Sequence, residues 1–305
     1  MDVIRKKCII IVNELSGNSR KINAEGLKKV FGDGFDVYTF AIKQQTVLTD
    51  FSEYDRIVIC GGDGTLNGIL NCHTMRGAEI IYCPAGTLNE LATGNARGEE
   101  FVLSDAGQAD DKLFSYVFAC GIFTPLGYIV KSKNKKKFKV FAYIAKVVSQ
   151  YKLHDIDARL TLDGVVDDGR FSLIMAIDSP KCFGLKFNKM YKFDDGLLHV
   201  LTIKKPKHRG LLGKIEIFFP LFRAFFIGFK KPYHSKNMTF DKCKHLNVVL
   251  RQETDFCTDG EKVTMNGCFD VAPIKLRNPI HVVSQRKVVK MAKRQEKYEY
   301  HYKHE

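Results

Sequence analysis

The sequence predicts an α/β N-terminal domain on an open, mainly parallel sheet and a C-terminal antiparallel, β-sandwich-like domain. Three observations predict it. Short runs rich in Ile and Val alternate with polar helical segments at the start of the chain. The stretch Lys131–Lys139 then breaks the pattern, because six lysines in nine residues cannot form a core. Beyond a helical segment at Phe138–Tyr151 the apolar period changes to two, as in strands with one buried face. The expected boundaries are 1–125 for the first domain and 126–280 for the second, with 281–305 a tail that packs back on the first.

The first domain rests on the runs Cys8–Val12, Val37–Phe40, Arg56–Cys60 and Ile80–Cys83. They are short and almost wholly apolar, as strands covered on both faces should be. Turn-forming residues sit at their carboxyl ends: Asn13-Glu14-Leu15-Ser16-Gly17, Gly61-Gly62-Asp63-Gly64-Thr65 and Pro84-Ala85-Gly86-Thr87-Leu88-Asn89. In open parallel sheets ligands bind beyond that edge. In the second domain Arg159–Leu162 and Leu246–Leu250 alternate, and Asp163-Gly164 and Asp168-Gly169 are expected to make turns. The tail after Val282 is basic, with a weak apolar face of Val288, Met291 and Ala292.

A net charge of +14 favours an anionic partner, whether a phosphorylated ligand, an anionic membrane surface or nucleic acid. No nucleic-acid recognition motif accompanies it, so a nucleic-acid partner is not expected. The nine cysteines contain no C-x-x-C pair, which argues against structural zinc and for buried, reduced thiols in a cytoplasmic setting. The start of the chain lacks the layout of a signal peptide, and no charge-free apolar stretch is long enough to span a bilayer. Any membrane contact is therefore expected to be peripheral.

The turn Gly61–Thr65 is the most informative stretch. It follows an apolar run and opens a segment with Leu66, Ile69 and Leu70 at helical spacing. Strand, glycine turn and helix start together aim bare N–H groups and a positive dipole end at a phosphate. Asp63 places a carboxylate at that point, where two anions would repel. The pairing makes sense beside Mg²⁺, which takes oxygen ligands and bridges phosphates. Asp-Gly occurs six times in the chain, so this turn alone is a modest signal.

Four segments in order carry a more specific one: Gly61 to Asn67, Pro84 to Asn89, Asp195-Gly196-Leu197 and Asp259-Gly260-Glu261. Together they resemble the soluble bacterial diacylglycerol kinase-like lipid kinases (the YegS type), relatives of sphingosine and ceramide kinases, from about Lys7 to Ile280. The resemblance implies a nucleotide-binding first domain, a lipid-substrate second domain, an active site in the cleft between them, ATP and Mg²⁺ as cofactors, and a diacylglycerol-like acceptor. It also implies that Asn13, Ser16 and Gly17 form the first nucleotide loop, although the usual Pro after the Asn is Glu14 here. Thr39, Thr87 and Asn89 match further nucleotide contacts. Gly62, Asp63, Gly64, Thr65, Leu66, Asn67 and Gly68 match the phosphate turn, with Gly68 replacing a common Glu, and Glu90 stands where Asp is usual. Asp63, Asp259 and Glu261 match catalytic positions, Glu261 being the family's proton acceptor. Chemistry alone leaves base and metal ligand open between Asp259 and Glu261, since either carboxylate suits either task. Asp195, with the carbonyls of Lys192 and Leu197, matches a structural Mg²⁺ loop. An acidic residue common after the third motif is missing near Thr124.

The alternatives are an NAD kinase or sugar-phosphate kinase, which share the glycine turn, and a catalytically weak nucleotide- or lipid-binding protein. The strongly apolar stretch Ile215–Phe229 is expected either as a buried helix or as an interfacial segment beside the cleft. Lys204, Lys205, Lys207, Arg209, Lys230 and Lys231 flank it and suit an anionic leaflet.

Overall fold

The computed structural model of the protein describes residues 5–19, 22–43, 50–72, 74, 77–87, 89–94, 100–122, 155–182, 184–284, 286–288 and 290. The Lys131–Lys139 run, the helix expected over Phe138–Tyr151 and the Thr124 region lie outside them. The chain divides into two compact units, Met1–Ser104 with Leu276–Glu305, and Asp105–Lys275.

The first unit contains β1 (Lys6–Asn13), α1 (Ala24–Phe31), β2 (Phe35–Ile42), β3 (Arg56–Gly61), α2 (Asp63–Leu70), β4 (Glu79–Pro84), α3 (Glu90–Gly94) and the start of β5 (Phe101–Ala109). β1 lies between β2 and β3, and β4 lies on β3, every pairing parallel. The expected strands are thus present and a little longer than their apolar runs. Side chains alternate across the sheet. Ile9, Ile11, Ile57 and Ile59 enter one core with Leu66 and Ile69 of α2. Cys8, Ile10, Val58 and Cys60 enter the other with Leu27 of α1 and Val288. Cover on both faces is why these strands carry no polar period. α1 is capped by Asn23, whose side chain accepts the Gly26 N–H at 2.9 Å.

The second unit takes the rest of β5, then β6 (Lys112–Phe114), β7 (Val117–Gly121), β8 (Ile156–Leu162), β9 (Val165–Ile177), β10 (Lys181–Cys182), β11 (Leu185–Lys186) and β12 (Leu198–Lys204). A helix α4 (Gly210–Phe222) runs on into a π-type turn at Arg223–Ile227. β13 (Tyr233–His234), β14 (Met238–Cys243), β15 (Leu246–Leu250), β16 (Thr254–Thr258) and β17 (Glu261–Met265) follow. The last strand, β18 (Cys268–Val282), gives its first part to this unit; Ile280–Val282 pair in parallel with β4 of the other.

The pairing here is antiparallel, as the period of two predicted. β9 is central: its first half pairs β8, its second half pairs β7, and β12 runs along its other edge. β15 continues from β8 to β18, and β16 joins β7 to β17. Leu173, Met175 and Ile177 of β9 face one core, which Ile217 and Leu221 of α4 cover. Ile174 and Ala176 face a second core with Phe118, Phe256 and Phe269. One expected turn fails. Asp163-Gly164 makes the two-residue hairpin loop, both residues at positive φ, but Asp168-Gly169 lies inside β9, opposite Arg159 and Ala158. That stretch is paired along β8, and the Arg251 guanidinium holds the Asp168 carboxylate at 2.8 and 2.9 Å.

Candidate active site

In the first unit the sequence folds the glycine turn as strand, one linking residue and helix: β3 ends at Gly61, Gly62 is extended, and α2 begins at Asp63. No side chain caps α2 at Gly62, so its first N–H groups are presented by backbone alone. The turn is tied to both neighbouring loops. Asn13 Nδ2 donates to Thr65 Oγ1 at 2.8 Å, while Asn13 Oδ1 accepts the Leu15 N–H at 2.9 Å. Asn18 donates through its backbone to Ala85 O at 2.9 Å and through its side chain to Gly86 O at 2.6 Å. Ala85 N donates to Gly61 O at 2.6 Å. Asp63 Oδ2 accepts the Glu90 N–H, the first of α3, at 2.8 Å.

Glycine is required where these loops meet. A Cβ on Gly86 would lie 2.6 Å from the Gly62 Cα and 2.7 Å from Asn89 Oδ1, and one on Gly17 would collide with the Thr87 side chain. Gly68 differs: it is exposed, with open space where a Cβ would go.

The expected nucleotide residues divide accordingly. Asn13, Gly17, Gly62, Asp63, Thr65, Thr87 and Asn89 belong to these interlocked loops, with Ser16 and Gly64 between them in the chain. Leu66 is fully buried in the core, so only its backbone is offered to a ligand. Asn67 is buried, its backbone and side-chain oxygens next to the Asn71 amide. Thr39 is exposed opposite Ile10, before the end of β2 at Ile42.

In the second unit Asp259-Gly260 forms the two-residue turn of the β16–β17 hairpin, at φ values of 51° and 98°. Its carboxylate does not face water. Oδ1 accepts the Tyr116 and Val117 N–H groups, each at 3.0 Å, and Oδ2 accepts the Ser115 N–H and its hydroxyl. Burial pushes the Asp259 carboxyl up, and the N–H groups of Ser115 and Val117 pull it back. Glu261, the first residue of β17, is exposed. The hairpin thus buries one carboxylate as an anchor and presents the other.

The Lys192–Leu197 loop gathers acids. Asp195 accepts the Leu197 N–H at 3.2 Å, and Asp194 and Gly196 have positive φ. Burial, and then a hydrogen bond with Asp194, raise the Asp105 carboxyl to about 7. Burial, and then the charge of Asp105, raise Asp178 well above the carboxylate range. Among the described residues no three His, Cys, Asp or Glu side chains are arranged to hold a metal. The donor set nonetheless fits a hard cation of the expected kind, because crowded carboxyls and loop carbonyls are oxygen donors whose repulsion a cation relieves.

Asn18 and Ser115 are parts of the site that the motifs did not mark. Asn18 sits next to an expected residue and offers the turn-forming chemistry of Asn, a weak signal. Ser115 gives none, because its partner Asp259 is 144 residues away.

Residues 7–104 match the diacylglycerol kinase catalytic domain family. The chain is 26% identical over 287 residues to a diacylglycerol kinase of Staphylococcus carnosus, covering 85% of this chain and 89% of that protein. It is 24% identical over 303 residues to a diacylglycerol kinase of Bacillus subtilis, covering 91% and 96%. Its fold is similar to the crystal structure of a diacylglycerol kinase from Bacillus anthracis, with a TM-score of 0.62 for one solved form and 0.57 for another, at 18% identity and 92% cover of this chain. The matched residues hold β1 to α3 with all three interlocked loops; that segment is similar to a diacylglycerol kinase catalytic domain, and the chain is similar along most of its length to bacterial diacylglycerol kinases.

Proposed function

We propose that the protein is an ATP- and Mg²⁺-dependent lipid kinase that phosphorylates a hydroxyl of a diacylglycerol-like acceptor, working in the cytoplasm at the periphery of an anionic membrane. The observation that carries this reading is the locking of the Asn13, Gly62–Asp63 and Gly86–Glu90 loops into one edge. Residues 1–125 are assigned to the nucleotide and 126–280 to the lipid.

The N–H groups at the start of α2 suit the phosphates, and Asp63, at the head of that helix, suits a magnesium ion beside them. Asn89 Oδ1 is buried with no hydrogen-bond partner among the described residues, an acceptor suited to a ribose hydroxyl or a magnesium-bound water. Mg²⁺ supplies charge neutralisation on the transferring group when bound. The acceptor oxygen bonds to the terminal phosphorus, the bond from that phosphorus to the bridging oxygen breaks, and ADP leaves with the electron pair. The hydroxyl proton goes to a carboxylate within hydrogen-bond reach. Glu261 is assigned that role, because Asp259 already accepts from three backbone N–H groups and a hydroxyl. Lys192 and Leu197 through their carbonyls, and Asp195 through its carboxylate, are assigned to a second, structural Mg²⁺.

The test is labelled ATP with Mg²⁺ and, separately, diacylglycerol, ceramide and an isoprenoid alcohol in mixed micelles, and NAD and fructose 6-phosphate in solution. Transfer to diacylglycerol, lost on chelation of Mg²⁺, is expected. Transfer to NAD or the sugar phosphate instead would overturn the reading, as would tight ATP binding without transfer to any acceptor.

A further inference from the structure

Helix α4 has two apolar faces. One, with Gly213, Ile217 and Leu221, is buried on the β9 sheet. The other exposes Leu211 (74%), Leu212 (64%), Ile215 and Phe219 (64%), and the π-type turn adds Phe226 and Ile227. On a helix in water that second face should be polar. The spacing of Leu211, Ile215, Phe219 and Phe226 keeps them in one stripe. Phe222 stacks between Phe218 and Phe226, with centroids 5.9 and 5.2 Å away.

Two of the charges within the segment, Glu216 and Arg223, are engaged by their own neighbours. Glu216 accepts the Lys207 N–H at 2.9 Å and the His208 N–H at 3.3 Å. The Arg223 guanidinium donates to Gly228 O and lies over the Phe229 and Tyr233 rings at 5.0 and 4.9 Å. Of the flanking cations, Lys204 and Lys205 are held by Asp167 and Asp155. Lys207, Arg209, Lys230 and Lys231 are exposed at the two ends of the segment. The Lys236 ammonium lies beside that of Lys207, which lowers its pKa and concentrates positive charge at the start of the helix. An apolar stripe with cations at both ends complements a surface with acyl chains beneath anionic headgroups.

We infer that the exposed face of Gly210–Ile227 is an amphipathic anchor that lies in the plane of an anionic bilayer, with Phe219 among the acyl chains and Lys207, Arg209, Lys230 and Lys231 at the headgroups. This deepens the membrane part of the reading above and rests on it. Its test uses neither nucleotide nor acceptor, so its failure would leave the phosphotransfer assignment standing.

The chain contains no tryptophan, so one introduced at Phe219 is the only indole present. Phe219→Trp is mixed with vesicles of phosphatidylcholine containing about a third phosphatidylglycerol, and with phosphatidylcholine alone. A blue-shifted emission, quenched by brominated acyl chains and reversed by high salt, is expected with the anionic vesicles. Val165→Trp, at another exposed apolar site, is expected to show none of this. In vesicle co-sedimentation Phe219→Asp should lower binding by roughly tenfold, with an unchanged melting curve. An anchor in the bilayer is overturned by equal binding of Phe219→Asp and the unaltered protein. It is also overturned if Phe219→Trp is already blue-shifted without vesicles, which would place the face against protein, either this chain or a second copy.

Discussion

The carboxylate of Asp63 accepts the backbone N–H of Glu90 at 2.8 Å, so the residue that heads α2 also holds the first turn of α3. One side chain therefore has both a structural bond and a place at the edge proposed to hold the phosphates. Asp63→Ala should lose activity at least about a hundredfold and about 1–2 kcal/mol of stability. Asp63→Asn, which keeps an acceptor oxygen, should recover most of the stability and little of the activity. Urea unfolding and turnover of both variants test this; an Asp63→Ala protein with unaltered turnover would refute the role.

Asp259 and Glu261 should separate cleanly. Asp259→Ala leaves three buried N–H groups and a hydroxyl without their acceptor, at a cost of about 3 kcal/mol or more. Glu261→Gln, at an exposed position, should change stability by no more than about 0.5 kcal/mol and lower turnover by about 10²–10⁴. The opposite pattern would move the base to Asp259.

Two glycines offer a steric test. Gly86→Ala forces apart backbone that lies 2.6 Å from the new Cβ, so melting temperature and nucleotide affinity should both fall. Gly68→Ala, inside α2 with open space around it, should stabilise by about 0.5–1 kcal/mol. Thermal melts and ATP titrations of the pair decide it.

His199 is fully buried, stacks on Phe240 with centroids 5.9 Å apart, and has no hydrogen-bond partner among the described residues on either ring nitrogen. Burial lowers its pKa from 6.5 to about 4. The unfolded chain takes the proton first, so acid favours unfolding. Its contribution should be intact above pH 6.5 and fall by about 3 kcal/mol on the way to pH 4. Unfolding curves of the protein and of His199→Leu in chelator-containing buffer should diverge over that window. Parallel curves would show that the ring does not titrate in this way.

The cysteines should differ sharply in reactivity. Burial raises the Cys8 and Cys257 thiols to about 11 and Cys243 to about 12, whereas Cys268 is exposed. A thiol reagent at pH 8 should modify Cys268 first, and Cys268→Ser should remove the fast phase. A fast phase surviving that substitution and also a Cys72→Ser change at the half-buried thiol would mean that one of the buried thiols is accessible.

The parallel sheet was legible because strands such as Ile57-Val58-Ile59-Cys60 need apolar side chains on both faces, and such runs have few other uses. Asp168-Gly169 was not, since its composition equals that of Asp163-Gly164 and distant partners distinguish them, Arg251 for Asp168 and the Lys244 and His245 N–H groups for Asp163. The glycine turn could be read from local spacing, but the anchoring of Asp259 by Ser115 depends on a contact that no local pattern encodes. The Ile215–Phe229 stretch announced its hydrophobicity but not its division into a packed side and an exposed one, which the sheet beneath it decides.

The route of β18 sets an order of assembly during synthesis. The parallel sheet closes its β4 border with Ile280–Val282, which are synthesised only after the whole of Asp105–Lys275. Until they emerge from the ribosome, that border of β4 is an unpaired apolar rim, open to mispairing between nascent chains.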